Sequence, residues 1–73
     1  MITTEILDFI KSFETITPAK LQIQFVKGYN WSDKLIEELV NANLIRKDVT
    51  WYDRSYYPNI QEINAYQENM KNL

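Results

Sequence analysis

The sequence predicts a single small domain that is mainly α-helical and carries one β-hairpin. Separate stretches place apolar residues at the three- and four-residue spacing of amphipathic helices. Residues 44–57 are instead rich in β-branched and aromatic side chains around a turn-like centre, which is typical of a hairpin. A length of 73 residues with one glycine and two prolines favours one folded core without a linker or repeat.

The first helix is predicted over residues 4–13. Thr3 or Thr4 can cap it, because a threonine hydroxyl accepts a hydrogen bond from the unpaired amides of the first turn. Its apolar face is predicted to comprise Ile6, Leu7, Phe9, Ile10 and Phe13. A short extended segment then follows, with Ile16 pointing inward.

The second helix is predicted to begin at Pro18. Thr17 is a suitable N-cap, and proline fits the first helical position, where its missing N–H has no partner. Leu21 and Phe25 lie four residues apart on one face. Gly28, the only glycine, predicts a turn in which the backbone adopts a positive φ.

The third helix is predicted from Asn30 to about Asn43. Asn30 and Asp33 form a variant of the capping box, and Asn43 suits a left-handed helix end. The predicted buried side comprises Ser32, Leu35, Ile36, Leu39 and Val40. The predicted outer side comprises Asn30, Lys34, Glu37, Glu38 and Asn41.

The hairpin strands are predicted over residues 44–49 and 54–57, with Pro58 ending the second strand. Asn59, followed by Glu62, predicts the cap of a last helix. One side of that helix is predicted to carry Ile60, Ile63, Tyr66, Met70 and Leu73.

This order of elements predicts a winged helix-turn-helix domain over residues 1–58. The tight connection between the second and third helices is the helix-turn-helix step, and the hairpin is the wing. The added C-terminal helix, residues 59–73, either packs on this domain or serves for homodimerisation. A homodimer would present two recognition helices to a two-fold site.

Composition excludes several classes of function. The chain has no cysteine and no histidine, so it lacks the usual zinc ligands and the usual general base. We therefore expect no enzyme, no metal and no cofactor. No apolar run approaches the roughly 20 residues of a membrane span, and the N-terminus lacks the basic region of a signal peptide. We expect a cytoplasmic protein that does not bind membranes.

The formal net charge is -2, but six of the eight basic residues fall within residues 20–54. With five acidic residues in that segment, its balance is 6 - 5 = +1. The middle segment of the chain therefore carries most of the basic residues.

The stretch KGYNWSDKLIEELVNANLI, residues 27–45, resembles the gamma domain of FtsK/SpoIIIE-type DNA translocases. The matching positions are Gly28, Tyr29, Asn30, Leu35, Ile36, Glu37, Leu44 and Ile45. The departures are Trp31 and Lys34, where the family has arginine, and Asp33, where it has alanine. The resemblance covers about residues 15–57 and implies a winged-helix DNA-binding domain. The chain has no phosphate-binding loop of the Gly-x-x-x-x-Gly-Lys-Ser/Thr type, so it carries no motor.

We therefore predict a small DNA-binding protein, such as a transcriptional regulator or an accessory factor of a phage or mobile element. The partner is double-stranded DNA, contacted at base edges by the start of the recognition helix and at the backbone by the wing. The predicted DNA-binding residues are Lys27, Tyr29, Asn30, Trp31, Lys34, Arg46, Lys47 and Arg54. Alternatively, Asn30 and Asp33 are only caps, Lys34 pairs with Glu38, and the hairpin cations only protect a strand edge.

A second hypothesis is a winged-helix protein-interaction module that does not bind DNA. In that case Trp31 and the wing aromatics Trp51, Tyr52, Tyr56 and Tyr57 would form a partner-binding patch, because tryptophan and tyrosine are favoured interface anchors. The acidic residues would then mimic or repel DNA. Alternatively, some of these aromatic residues only cover the core.

Overall fold

A computed structural model describes residues 1–47 and 54–71. The elements, in order, are α1 (Thr4–Lys11), α2 (Pro18–Phe25), α3 (Tyr29–Asn41), β1 (Ile45–Lys47), β2 (Tyr56–Pro58) and α4 (Ile60–Lys71). The two strands pair antiparallel, with Ile45 opposite Pro58 and Lys47 opposite Tyr56. Within the described residues, the prediction of a mainly α-helical domain with a small hairpin is confirmed.

Helix α1 begins as predicted, because the Thr3 hydroxyl accepts a hydrogen bond from the Ile6 amide at 3.2 Å. The helix ends at Lys11, two residues earlier than expected. The Ser12 hydroxyl donates to the Phe9 carbonyl at 2.6 Å, a local bond that competes with continued helix. Phe13 therefore lies outside the helix and is 37% exposed, so its predicted place on the apolar face is wrong.

The segment between α1 and α2 is joined to the hairpin by a backbone bridge. The Ile16 amide donates to the Tyr56 carbonyl at 2.7 Å, and the Tyr56 amide donates to the Ile16 carbonyl at 2.8 Å. Both side chains are buried, which confirms the inward orientation predicted for Ile16. The hairpin is thereby fixed to the helical part of the fold.

Helix α2 is capped as predicted, since the Thr17 hydroxyl accepts from the Lys20 amide at 3.2 Å and Pro18 is the first helical residue. Leu21 is fully buried and Phe25 is half-buried.

The turn after α2 differs from the prediction. The left-handed residue is Val26, with φ 52°, whereas Gly28 has φ -84°. The Lys27 amide donates to the Gln22 carbonyl at 3.1 Å, so the chain reverses at Val26. Gly28 is then extended and precedes the first residue of α3.

Helix α3 begins at Tyr29, so the predicted Asn30–Asp33 capping box is wrong. Asn30 already lies within the first turn, and Gly28 at the cap position has no side chain that could accept a hydrogen bond. The helix ends as predicted, with Asn43 left-handed at φ 63°. The Leu44 amide donates to the Leu39 carbonyl at 2.9 Å, the bond pattern of a Schellman motif.

The buried side of α3 is narrower than predicted. Ser32, Leu35, Ile36 and Leu39 are buried, but Val40 is 41% exposed. Val40 lines a groove beside the hairpin, and no element formed by residues 1–47 and 54–71 covers it. Ser32 needs no distant partner, because its hydroxyl donates to the Tyr29 carbonyl at 2.8 Å.

Strand β1 begins at Ile45, one residue later than predicted, and β2 begins at Tyr56, two residues later than predicted. Arg54 and Ser55 precede β2, and Pro58 is its last residue. The predicted turn and the aromatic residues Trp51 and Tyr52 lie outside the described residues.

Asn59 precedes α4 as predicted, but its side chain has a different role. The Asn59 amide group donates to the Asn43 carbonyl at 2.8 Å, and its backbone amide donates to the Leu44 carbonyl at 2.9 Å. These bonds attach the start of α4 to the end of α3.

Helix α4 packs against α1. Gln67 donates to an Asp8 carboxylate oxygen at 2.8 Å and accepts from Lys11 at 2.7 Å. Ile63 is fully buried, whereas Ile60 is 43% exposed, so Ile60 was wrongly predicted on the apolar side. Tyr66 and Met70 pack at the edge of the core, and Leu73 lies outside the described residues.

The core is formed by aliphatic side chains and Tyr56, which come from the helices, the hairpin and the connecting segments. Its buried members are Ile6, Leu7, Ile10, Ile16, Leu21, Leu35, Ile36, Leu39, Leu44, Ile45, Tyr56 and Ile63. Within the described ranges, none of the helices has the length and apolar character needed to cross a bilayer.

Val26 gives a test of this fold. A β-branched residue in the left-handed region is strained by about 1–2 kcal/mol, and Val26 is 86% exposed, so it loses little burial on truncation. Val26→Gly should raise the free energy of unfolding by about 1 kcal/mol, part of the gain being lost to the flexibility of glycine. Urea unfolding followed by tryptophan fluorescence measures it. Val26→Ala, which keeps the Cβ, should gain much less. A lower stability of Val26→Gly than of Val26→Ala would contradict the left-handed conformation.

Candidate nucleic-acid interface

A groove of about 470 Å³ lies between the outer side of α3 and the hairpin. It is lined by Asn30, Asp33, Lys34, Ile36, Glu37, Val40, Asn41, Lys47, Arg54 and Tyr56. Helix α3 supplies one wall, and the hairpin with the residues preceding β2 supplies the other.

The α3 wall follows directly from helical spacing. Asn30, Lys34, Glu37 and Asn41 are separated by four, three and four positions, so they lie on one side of the helix. All four are exposed, as the sequence predicted. The core holds the opposite side of α3 and thereby presents this row to solvent.

The hairpin wall follows from strand alternation. Arg46 and Lys47 are neighbours in β1, so their side chains point to opposite faces. Lys47 lines the groove, whereas the Arg46 guanidinium lies 5.9 Å from the centroid of the Tyr57 ring. Arg46 lines concavities on the side of α4. Although it was predicted to bind DNA, it does not line the groove with Lys34, Lys47 and Arg54.

Arg54 is held beside α3 by two hydrogen bonds. Its Nη1 donates to a carboxylate oxygen of Asp33 and, at 3.2 Å, to the hydroxyl of Tyr29. The pKa of Arg54 is raised above its ordinary value, mainly by the bond to Asp33 and secondarily by a bond to Tyr56. The guanidinium therefore stays charged, and Asp33 serves as its ion-pair partner, not as a helix cap.

Lys34 and Lys47 have no ion pair with any residue in ranges 1–47 and 54–71, where the two ion pairs are Lys11–Asp8 and Arg54–Asp33. The predicted alternative of a Lys34–Glu38 pair is therefore not found. The groove combines these two lysines and Arg54 with the carboxylates of Asp33 and Glu37. The surface therefore offers both hydrogen-bond donors and hydrogen-bond acceptors to a ligand.

Trp31 faces away from this groove. It is half-buried, and its ring centroid lies 5.8 Å from that of Phe25. Phe25 in turn packs edge-on against Phe9 at 5.6 Å. Trp31 is therefore part of the packing among α1, α2 and α3. Lys27 is exposed in the turn before α3, and it does not line the groove.

The structure therefore brings Asn30, Lys34, Lys47 and Arg54 together, with Tyr29 attached through Arg54. The sequence did not indicate the Asp33–Arg54 pair. Tyr29 and Asp33 could have been recognised as neighbours, because they are four residues apart on one helix. Arg54 is 21 positions from Asp33, and only the fold places it there.

The Asp33–Arg54 pair should contribute little to stability, because both side chains are 40% exposed. A double-mutant cycle with Asp33→Ala and Arg54→Ala should give a coupling free energy of about 0.2–1 kcal/mol, measured by urea unfolding. Strictly additive effects would show that the pair does not form in solution. A coupling free energy above about 2 kcal/mol would show that the ion pair is buried from water, which contradicts the 40% exposure of its two side chains.

No protein-family model, curated protein or solved structure matches this chain. The resemblance of residues 27–45 to the gamma domain of FtsK/SpoIIIE-type translocases therefore stays a prediction.

Proposed function

We propose that this chain is a small winged-helix DNA-binding protein, such as a transcriptional regulator or a phage or mobile-element accessory factor. Helix α3 would enter the major groove, and the hairpin would contact the DNA backbone. The observation that carries the proposal is that Asn30, Lys34, Lys47 and Arg54 line one groove between α3 and the hairpin.

The arrangement of the elements supports a winged helix. A connection of residues 26–28 separates α2 from α3, as in a helix-turn-helix, and the two helices pack together. The Ile16–Tyr56 bridge places a third extended segment beside the hairpin. The order of helix, extended segment, two helices and hairpin is the order expected for this fold.

The dimensions of α3 suit a major groove. Its 13 residues span about 20 Å, and the major groove of B-DNA is about 12 Å wide and accepts a helix. Asn30 and Lys34 lie in the first half of α3, where base contacts are usually made. Asparagine can bind adenine through two hydrogen bonds, and lysine can donate to guanine or to phosphate.

Charge sets the expected affinity. Lys34, Lys47 and Arg54 supply three groove cations, while Asp33 and Glu37 oppose them. A few phosphate contacts of this kind give affinities near the non-specific range of about 10⁻⁴–10⁻⁶ M, with strong salt dependence. A homodimer on a two-fold site would bind more tightly, because the second copy binds at high effective concentration.

A protein-interaction module is the second candidate, and one surface favours it. Ile23, Val26 and Tyr29 are 79%, 86% and 57% exposed around the turn between α2 and α3. Large exposed apolar side chains this close together in the sequence are more typical of protein contacts than of a DNA surface. Trp31, predicted as the anchor of such a contact, is half-buried against Phe25.

Salt dependence tests the DNA proposal directly. Fluorescence anisotropy with a labelled random-sequence duplex should show binding at low salt that weakens steeply as salt rises. If the two groove lysines, Lys34 and Lys47, contact phosphates, the logarithm of affinity should fall with the logarithm of salt concentration with a slope near about -2. Absence of binding at about 50 mM salt would contradict the proposal.

Neighbouring residues of β1 provide a matched test of the proposed face. Lys47→Glu should weaken duplex binding by roughly tenfold or more, because it places a carboxylate where a phosphate contact is expected. Arg46→Glu makes the same change in charge on the opposite face of the strand, so it should weaken binding only a few-fold through long-range repulsion. Anisotropy measures both, and circular dichroism confirms folding. Equal losses would show that the groove is not the contact surface.

A further inference from the structure

We infer that Asp33 and Arg54 act together as a base-recognition pair that selects a G·C base pair in the major groove. This inference rests on the proposed DNA-binding function. It adds a specific base-pair preference and a role for a carboxylate that would otherwise only weaken DNA binding.

The geometry fixes Arg54 beside the part of α3 that is expected to meet base edges. Arg54 Nη1 donates to both Asp33 and the Tyr29 hydroxyl, and Asp33 lies in the first half of α3. The Arg54 and Asp33 side chains are each 40% exposed, so both remain accessible to a ligand. A guanidinium held in this way accompanies α3 into the groove.

The chemistry of the pair matches that of a G·C base pair. Guanine presents the acceptors N7 and O6 in the major groove, and arginine is its commonest partner. Cytosine presents the N4 amino group, which can donate a hydrogen bond to a carboxylate such as that of Asp33. One cation and one carboxylate side by side therefore complement the donor and acceptor groups of a single G·C pair.

The carboxylate favours a base over a phosphate as the ligand of Arg54. A phosphate bound by Arg54 would lie close to the negative charge of Asp33 and be repelled. The neutral edge of guanine avoids that repulsion between full charges. The bonds to Asp33 and Tyr29 also restrict the arginine rotamers before DNA arrives, which lowers the entropy cost of recognition.

In vitro selection from a random-sequence duplex library tests this inference. The wild-type protein should enrich a motif that contains an invariant G·C pair. Replacing that guanine with 7-deazaguanine, which lacks the N7 acceptor, should weaken wild-type binding by roughly tenfold. Arg54→Gln should bind the two duplexes equally. Asp33→Ala should show a reduced preference for guanine over 7-deazaguanine. It should also bind random duplex more tightly, because the negative charge that repels phosphate is removed.

Lys47→Gln is the matched control, because Lys47 lines the same groove without an ion-pair partner among the described residues. It should weaken binding to both duplexes equally and reduce the salt slope by about 1. Failure of the wild type to bind the library at low salt would refute the proposed function itself. Binding with no guanine preference, or an unchanged preference in Arg54→Gln or Asp33→Ala, would overturn only the inference about the pair.

Discussion

The candidate interface depends on the register of one backbone bridge. Ile16 and Tyr56 exchange hydrogen bonds of 2.7 and 2.8 Å, and both side chains are buried in the core. A slip of one residue along the hairpin would reverse which side chains face inward. Because Ile45 is also buried, the faces occupied by Arg46 and Lys47 are fixed. The core thus determines which hairpin cation lies opposite α3.

As the surface of a DNA-binding protein, the groove would balance affinity against selectivity. Cations alone would give stronger attraction to any polyanion, with little discrimination between sequences. Asp33 reduces that attraction, but it also orients Arg54 through a direct bond. The chain has a net charge of -2, so binding to DNA would depend on the local arrangement of charges and not on the overall field. A carboxylate in the groove is consistent with a surface that distinguishes among ligands.

Local features of the fold were predictable where one residue type has a strong local preference. Thr17 with Pro18, and Asn43 at the end of α3, adopt the predicted cap conformations. Val26 was not predictable, since β-branched residues disfavour the left-handed conformation that the turn imposes on it. Val40 follows the apolar period of α3 but is exposed, because periodicity alone does not show which apolar positions a neighbouring element will cover. In the candidate site, spacing predicted that Asn30 and Lys34 share one side of α3, whereas the pairing of Arg54 with Asp33 depends on tertiary structure.

Whether DNA binds in the groove between α3 and the hairpin is tested most directly by titrating the ¹⁵N-labelled protein with a duplex. The backbone amide chemical shifts are monitored during the titration. If DNA binds in the groove, the largest changes should occur at Asn30, Lys34, Lys47 and Arg54, while α4 shows only small changes. Saturation of those shifts together would indicate one binding surface. Changes confined to α4 or to the surface of Ile23 and Val26, or no changes at low salt, would contradict the account.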